Sequence, residues 1–162
     1  MTKRKLWRLI WWIYLTALIV LVVIKFRGSF AELAARIEQA SQPGIINYNL
    51  IPLRTISIQL RLLHTGWAIY NLLGNFIPFI PFGFLLPKAY DKLDSAAKIF
   101  GVGVASIVFI ELFQLVTRLG SFDVDDIIMN TIGIMCGYLF FRWTARRKNE
   151  GEPPSQSPPA AL

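Results

Sequence analysis

The sequence predicts an all-α membrane protein, a four-transmembrane-helix bundle with an interfacial amphipathic helix in its first outer loop. Three observations lead there. Of the 162 residues, 54% are hydrophobic and only 17% are charged, against about 25% charged in an average soluble domain. The apolar residues cluster into four long stretches, and a hydrocarbon core about 30 Å thick needs roughly 20 mostly apolar residues per helix. The polar side chains that do fall within these stretches gather near one end of three of them.

The first segment covers residues 6–24. Lys3, Arg4 and Lys5 precede it, Trp7, Trp11 and Trp12 stand near its start, and Lys25 and Arg27 follow. No small-x-small cleavage site comes directly after it, so an uncleaved anchor is expected rather than a signal peptide. In the long loop that follows, Phe30, Leu33, Ala34 and Ile37 recur at i, i+3, i+4 and i+7, with Glu32, Arg36, Glu38 and Gln39 between them. Such a helix is too polar to span and should lie on the membrane surface until Pro43-Gly44 ends it. Residues 47–60 are apolar but carry Pro52 and Arg54, and read as an extended turn entering a second interfacial stretch.

The second, third and fourth segments fall at about 67–86, 98–116 and 127–143. Pro78 and Pro81 interrupt the second. Each removes an N–H, freeing the carbonyls of Gly74 and Ile77. The result is either a kink for packing or a broken helix lining a cavity beside Asn75. Residues 1–148 form one transmembrane domain. The tail at 149–162, with Pro153, Pro154, Pro158 and Pro159, cannot build a core and should be a disordered cytoplasmic extension.

Four spans place both termini on one side. Most of the 17 Lys and Arg residues fall on that side, which is therefore cytoplasmic. The net charge of +7 is explained by topology, and no basic, aromatic-interleaved strand pattern points to nucleic acid. Cys136 is the single cysteine, so an internal disulfide and a CxxC motif are excluded; a small buried thiol is expected. His64 is the single histidine, which excludes paired-histidine hydrolases; it reads as a surface residue. HExxH, GxSxG and GxxxxGK[ST] do not occur. No cofactor or metal is expected. The DVDD run at 123–126 has oxygen ligands for a divalent cation, but Asp125 or Asp126 capping a helix N-terminus is the simpler reading.

With this topology the polar residues of three helices reach one depth near the outer surface. Asn71 and Asn75 are spaced i, i+4. Glu111, Gln114 and Arg118 are spaced i, i+3, i+7, which is one helix face, and Asp123, Asp126 and Asn130 share that spacing. Glu111 lies about five residues below the segment end, roughly 7 Å at 1.5 Å per residue, where an ionised carboxylate must be paired or protonated. One reading is an ion-pair network locking the helices together. The other is an outward-facing site for a headgroup, ion or proton. In the site reading Glu111 and Asp126 are the candidate catalytic groups, and Asn71, Asn75, Gln114, Arg118, Asp123 and Asn130 bind the ligand. Arg118 suits a phosphate.

Three stretches carry a family resemblance: NLIPLRTI at 49–56, NLLGNFIPFIPFGFLLP at 71–87 and IELFQLVTRLGSFDVDDIIMNTIGIMCGY at 110–138. Together they resemble the VanZ-like family of bacterial membrane proteins over about residues 49–141. The pattern falls here on Asn71, Asn75, Phe79, Pro81, Gly83, Glu111, Gln114, Arg118, Asp123, Asp126, Asn130 and Gly133, with a longer Arg118-to-Asp123 spacing than the family form. The resemblance implies a small multi-pass plasma-membrane protein of the cell envelope. The family is named for a member associated with low-level resistance to the glycopeptide antibiotic teicoplanin. It brings no agreed reaction, so whether the chain is an enzyme stays open. Expected partners are membrane lipids, with a lipid-linked cell-wall precursor or a partner membrane protein as further alternatives.

Overall fold

A computed structural model of the chain describes residues 2–23, 38, 48–117 and 120–150. The expected amphipathic helix at 30–37, Arg118 and the tail from 151 onward lie outside the described residues; Asn149 and Glu150, expected in the tail, continue the last helix.

In chain order the described elements are α1 (Lys3–Val23), β1 (Tyr48–Asn49), α2 (Arg54–Arg61), α3 (Gly66–Phe76), a 3₁₀ turn (Ile77–Phe79), α4 (Ile80–Ala89), α5 (Ala96–Thr117), β2 (Phe122–Asp123) and α6 (Val124–Glu150). The protein is mostly helical. Three stretches are long and apolar enough to cross a membrane: Gly66–Ala89, Ala96–Thr117 and Val124–Arg147. One feature departs from an all-helical reading. β1 and β2 pair in parallel, Tyr48 against Phe122 and Asn49 against Asp123. Each strand is only two residues long, too short to show an alternating pattern.

α6 packs along α3, α4 and α5. Small residues permit the closest approach. A Cβ added to Gly83 would run into the Ile134 carbonyl, one added to Gly137 into the Ile80 carbonyl, and one added to Gly133 into the Phe76 carbonyl. Backbones that pass this closely gain dispersion contacts in a medium where apolar burial alone does not drive helix association. Around the crossing lies a core of Phe79, Phe82, Leu86, Ile99, Ile107, Ile134 and Tyr138. α1 joins it through Trp11, whose ring meets Phe82 edge-on at 4.9 Å between centroids.

The prolines sit at a packed joint. Thr65 caps α3 by accepting from the Ala68 N–H at 3.4 Å. The helix then tightens to 3₁₀ at Ile77–Phe79, and the Ile77 carbonyl that Pro81 leaves unbonded is taken by the Ile80 N–H. The Pro78 carbonyl accepts from the Tyr14 hydroxyl at 2.7 Å. These contacts favour the kink-for-packing alternative at this joint. Tyr14→Phe removes one such bond and should cost about 1 kcal/mol, seen as a modest fall in the melting temperature of the purified protein.

The end of the bundle away from β1 and β2 is held by cations. Arg4 pairs with Asp91. Arg8 Nε donates to the Ala89 carbonyl at 3.2 Å, and Lys88 Nζ lies 4.3 Å from the Trp7 ring centre and 3.9 Å from that of Phe84. The Tyr138 hydroxyl donates to the Asp94 carbonyl at 2.9 Å. Lys98 Nζ donates to Asp94 Oδ1 at 2.8 Å, and that bond holds the Asp94 carboxyl below its ordinary range. Phe109, Val116, Ile132 and Leu139 point outward, as a lipid-facing surface requires. Cys136 is also on the outside. The expectation of a buried thiol is therefore corrected: at position 136 the face of α6 turns away from the core that Ile134 and Gly137 occupy.

Candidate functional site

The polar residues meet at the opposite end, where α3, α5 and α6 converge with the segment that carries β1 and α2. Asp123 organises this end. It lies in β2, immediately before α6, and its Oδ1 accepts from the Asp125 N–H at 2.9 Å. That is an N-cap bond to the second helical residue, so the cap falls on Asp123 rather than on Asp125 or Asp126. It also means that Asp123, Asp126 and Asn130 are not one helix face. Asp126 and Asn130 share a face, and Asp123 reaches the same layer from the strand.

The oxygens of Asp123 serve the preceding segment as well. Oδ1 accepts from the Asn49 amide at 3.1 Å, and Oδ2 from the Thr55 hydroxyl at 2.6 Å. Asp125 acts in parallel. Its two oxygens accept from the Leu53 N–H at 2.5 Å and the Ile56 N–H at 3.0 Å. Leu53 has φ 64, a left-handed conformation that bulky residues avoid, and the Asp125 carboxylate holds its N–H there. Asp123 and Asp125 thus fasten residues 49–56 onto the start of α6. The helix macrodipole favours both charges at that terminus.

Beneath the clamp sit Glu111, Gln114, Asp126 and Asn130, all buried. Glu111 is 2% exposed, and its Oε2 accepts from the Asp123 N–H at 3.1 Å. The Asn75 amide donates to Asp126 Oδ1, joining α3 to α6. The Gln114 carbonyl accepts from the Gly120 N–H at 3.4 Å, which closes the connection between α5 and β2. Asn71 lies one turn before Asn75 on α3 and is half-buried. The structure brings Asn75 to Asp126 and Glu111 to Asp123. Arg118 falls outside the described residues. His64 is exposed.

Among the described residues no group of three His, Cys, Asp or Glu side chains could hold a metal ion. The geometry supplies one reason: the oxygens of Asp123 and Asp125 already face N–H and O–H donors. Asn49 and Thr55 contribute to this end although the sequence does not mark them as site residues, and Asp125, read there as a possible cation ligand or helix cap, holds main-chain N–H groups instead. Asn49 and Thr55 do belong to the quoted NLIPLRTI stretch, which was the available signal.

Chemically, this end combines carboxylates and amides with one main-chain clamp, roofed by apolar side chains. Leu50, Ile51 and Leu53 are exposed above it.

Comparison with known proteins gives a consistent result. The chain is similar to Protein VanZ of Enterococcus faecium, with 32% identity over 80 residues. The aligned part is 49% of each chain, so this chain spans about half the length of that curated relative. No solved structure matches. The family model described as VanZ/LLP1 matches residues 11–145, a span that runs from α1 into the second half of α6 and includes every residue of the clamp and of the layer beneath it. The chain belongs to the VanZ/LLP1 family.

Proposed function

We propose that this protein spans the bacterial plasma membrane four times, α1 being the first span, with both termini cytoplasmic. The layer formed by Asn75, Glu111, Gln114, Asp126 and Asn130 then opens toward the outer leaflet and binds or modifies the headgroup of a lipid or cell-wall precursor. The observation that carries this reading is the burial of Glu111 and Asp126 among apolar helices. Ionisable groups at such positions are costly in a bilayer and are retained chiefly where they work. Glu111 serves as acid, base or hydrogen-bond anchor. Asp126 orients a cationic or donor-rich group, and Asn71, Asn75 and Gln114 fix the headgroup. Arg118 contributes a guanidinium for phosphate.

Asp123 and Asp125 favour a second, non-enzymatic reading for their part of the layer. Their oxygens are engaged by the chain itself, so they act as a structural clamp. If the whole layer is of that kind, the protein is a membrane scaffold or binds a partner membrane protein.

The resemblance to a family named for teicoplanin resistance suggests the assay. A deletion strain is complemented with wild type, Glu111→Gln or Asp126→Asn, and teicoplanin susceptibility is measured at matched membrane abundance. Under the site reading wild type restores tolerance and both variants, folded and abundant, do not. Variants that behave as wild type would overturn it in favour of the scaffold.

A further inference from the structure

Asn130 lies one turn below Asp126, at the deep side of the layer just described, and its side-chain oxygen is buried without a hydrogen-bond partner. The residue is 2% exposed. A buried amide oxygen that lacks a donor is unfavourable, the more so inside a bilayer where no water can reach it.

The neighbours of Asn130 on α6 show where it points. Asp126, one turn before it, meets Asn75 of α3. Gly133, about one turn after it, meets the Phe76 carbonyl and the Phe79 side chain. Positions i, i+4 and i+7 share a helix face, so Asn130 faces the α3 side between those two contacts. Below it, at the level of Gly133, is the fully buried Phe79, which has no donor to give. Above it is the Asp126 carboxylate, an acceptor when ionised.

Two acceptors stacked one turn apart, the upper one a carboxylate and the lower one lacking a donor, select a particular chemistry. The complement is a small group with several N–H donors and a positive charge. A phosphate would meet a like charge. A quaternary ammonium would satisfy the charge but bring no N–H to Asn130. Resting on the headgroup reading above, we infer that Asp126 and Asn130 together receive a primary ammonium group, inserted deepest of all parts of the ligand. Phosphatidylethanolamine and the free amine of a lipid-linked cell-wall peptide share this chemistry.

The test uses the full chain in detergent micelles and ligand retention by native mass spectrometry. Phosphatidylethanolamine is compared with phosphatidylcholine of the same acyl chains, and a lipid-linked muropeptide with its N-acetylated form. The amine-bearing member of a pair should be retained at least about tenfold better, the scale of one charge-assisted hydrogen bond. Whichever pair shows the preference identifies the source. In the phospholipid pair, which differs in N–H donors, Asn130→Ala should reduce that preference to within about twofold, while Asn130→Asp, which keeps an acceptor of the same shape, should keep it; in the muropeptide pair, which differs in charge, Asp126→Asn should reduce it likewise. Ligand binding without amine preference, or a preference that survives the substitution named for its pair, would defeat the ammonium assignment and leave the headgroup reading standing. Failure of wild type to retain any of the four ligands would defeat both.

Discussion

Gly137→Val is expected to prevent the bundle from assembling. A side chain at this position would occupy the space of the Ile80 carbonyl, just as one at Gly83 would occupy that of the Ile134 carbonyl. Both obstacles are backbone, so no rotamer change relieves them and α4 and α6 must move apart. Overpacking a core that can still adjust its side chains costs about 1–3 kcal/mol. Here the displaced element is a helix that carries Phe82 and Leu86 into the core, and a loss of about 4 kcal/mol or more follows, in the range reserved for the most disruptive substitutions. The measurement is membrane abundance together with the melting temperature in detergent. Gly101→Ala is the control, because nothing lies within 4 Å of an added Cβ there. It should be neutral or slightly stabilising through helix propensity. Equal stability of the two variants would mean that the helices do not cross as closely as the structure shows. The consequence extends to the polar layer. The α4–α6 crossing sets the height of α3 against α6, and that height is what brings Asn75 to Asp126.

The parts of this architecture that could be read from sequence are those written in long-range periodicity. Expected segments at about 67–86, 98–116 and 127–143 correspond to helical stretches at Gly66–Ala89, Ala96–Thr117 and Val124–Arg147, because about 20 apolar residues leave a backbone few other options in a bilayer. Glu111 and Gln114 are both buried, as their shared helix face implied. What escaped was short or distant. β1 and β2 are two residues each, and Asn49 reaches Asp123 across 74 positions of chain. No local pattern encodes such a pairing. The 123, 126, 130 spacing fits a helical face, whereas the capping role of Asp123 moves it just outside the helix. The close crossing was half visible. Gly133 and Gly137 form a G-x-x-x-G pair, a known contact signature of membrane helices, but its partner Gly83 lies on another helix at no fixed offset.

Asp125→Ala should release the segment from β1 to α2 while leaving the helices beneath it folded. Asp125 is 1% exposed, and its carboxylate accepts two backbone N–H groups, from Leu53 and Ile56. Hydrogen bonds to a charged acceptor contribute about 1.5–3 kcal/mol each, so losing both is expected to cost this segment about 3 kcal/mol or more. Leu53 then loses the carboxylate that holds its N–H at φ 64, and relaxing that residue recovers about 1 kcal/mol of strain, which drives the opening further. The bundle core contains none of these groups, so the penalty stays local. Hydrogen exchange should therefore rise sharply at residues 53–62, where α2 and its flanking turns lie, and change little in α4 or α6. Asp125→Asn keeps one acceptor oxygen and should fall between the two. A uniform rise in exchange across the helices would instead make Asp125 a global keystone. No rise at 53–62 would mean that Asp123, through Asn49 and Thr55, holds the segment alone. The distinction bears on access to the layer beneath, since the clamp that Asp125 closes lies directly over Glu111 by way of the Asp123 N–H. A protein whose clamp opens without melting its helices would let a headgroup reach Asp126 and Asn130 from above, and ligand retention by Asp125→Ala should then rise or hold rather than fall.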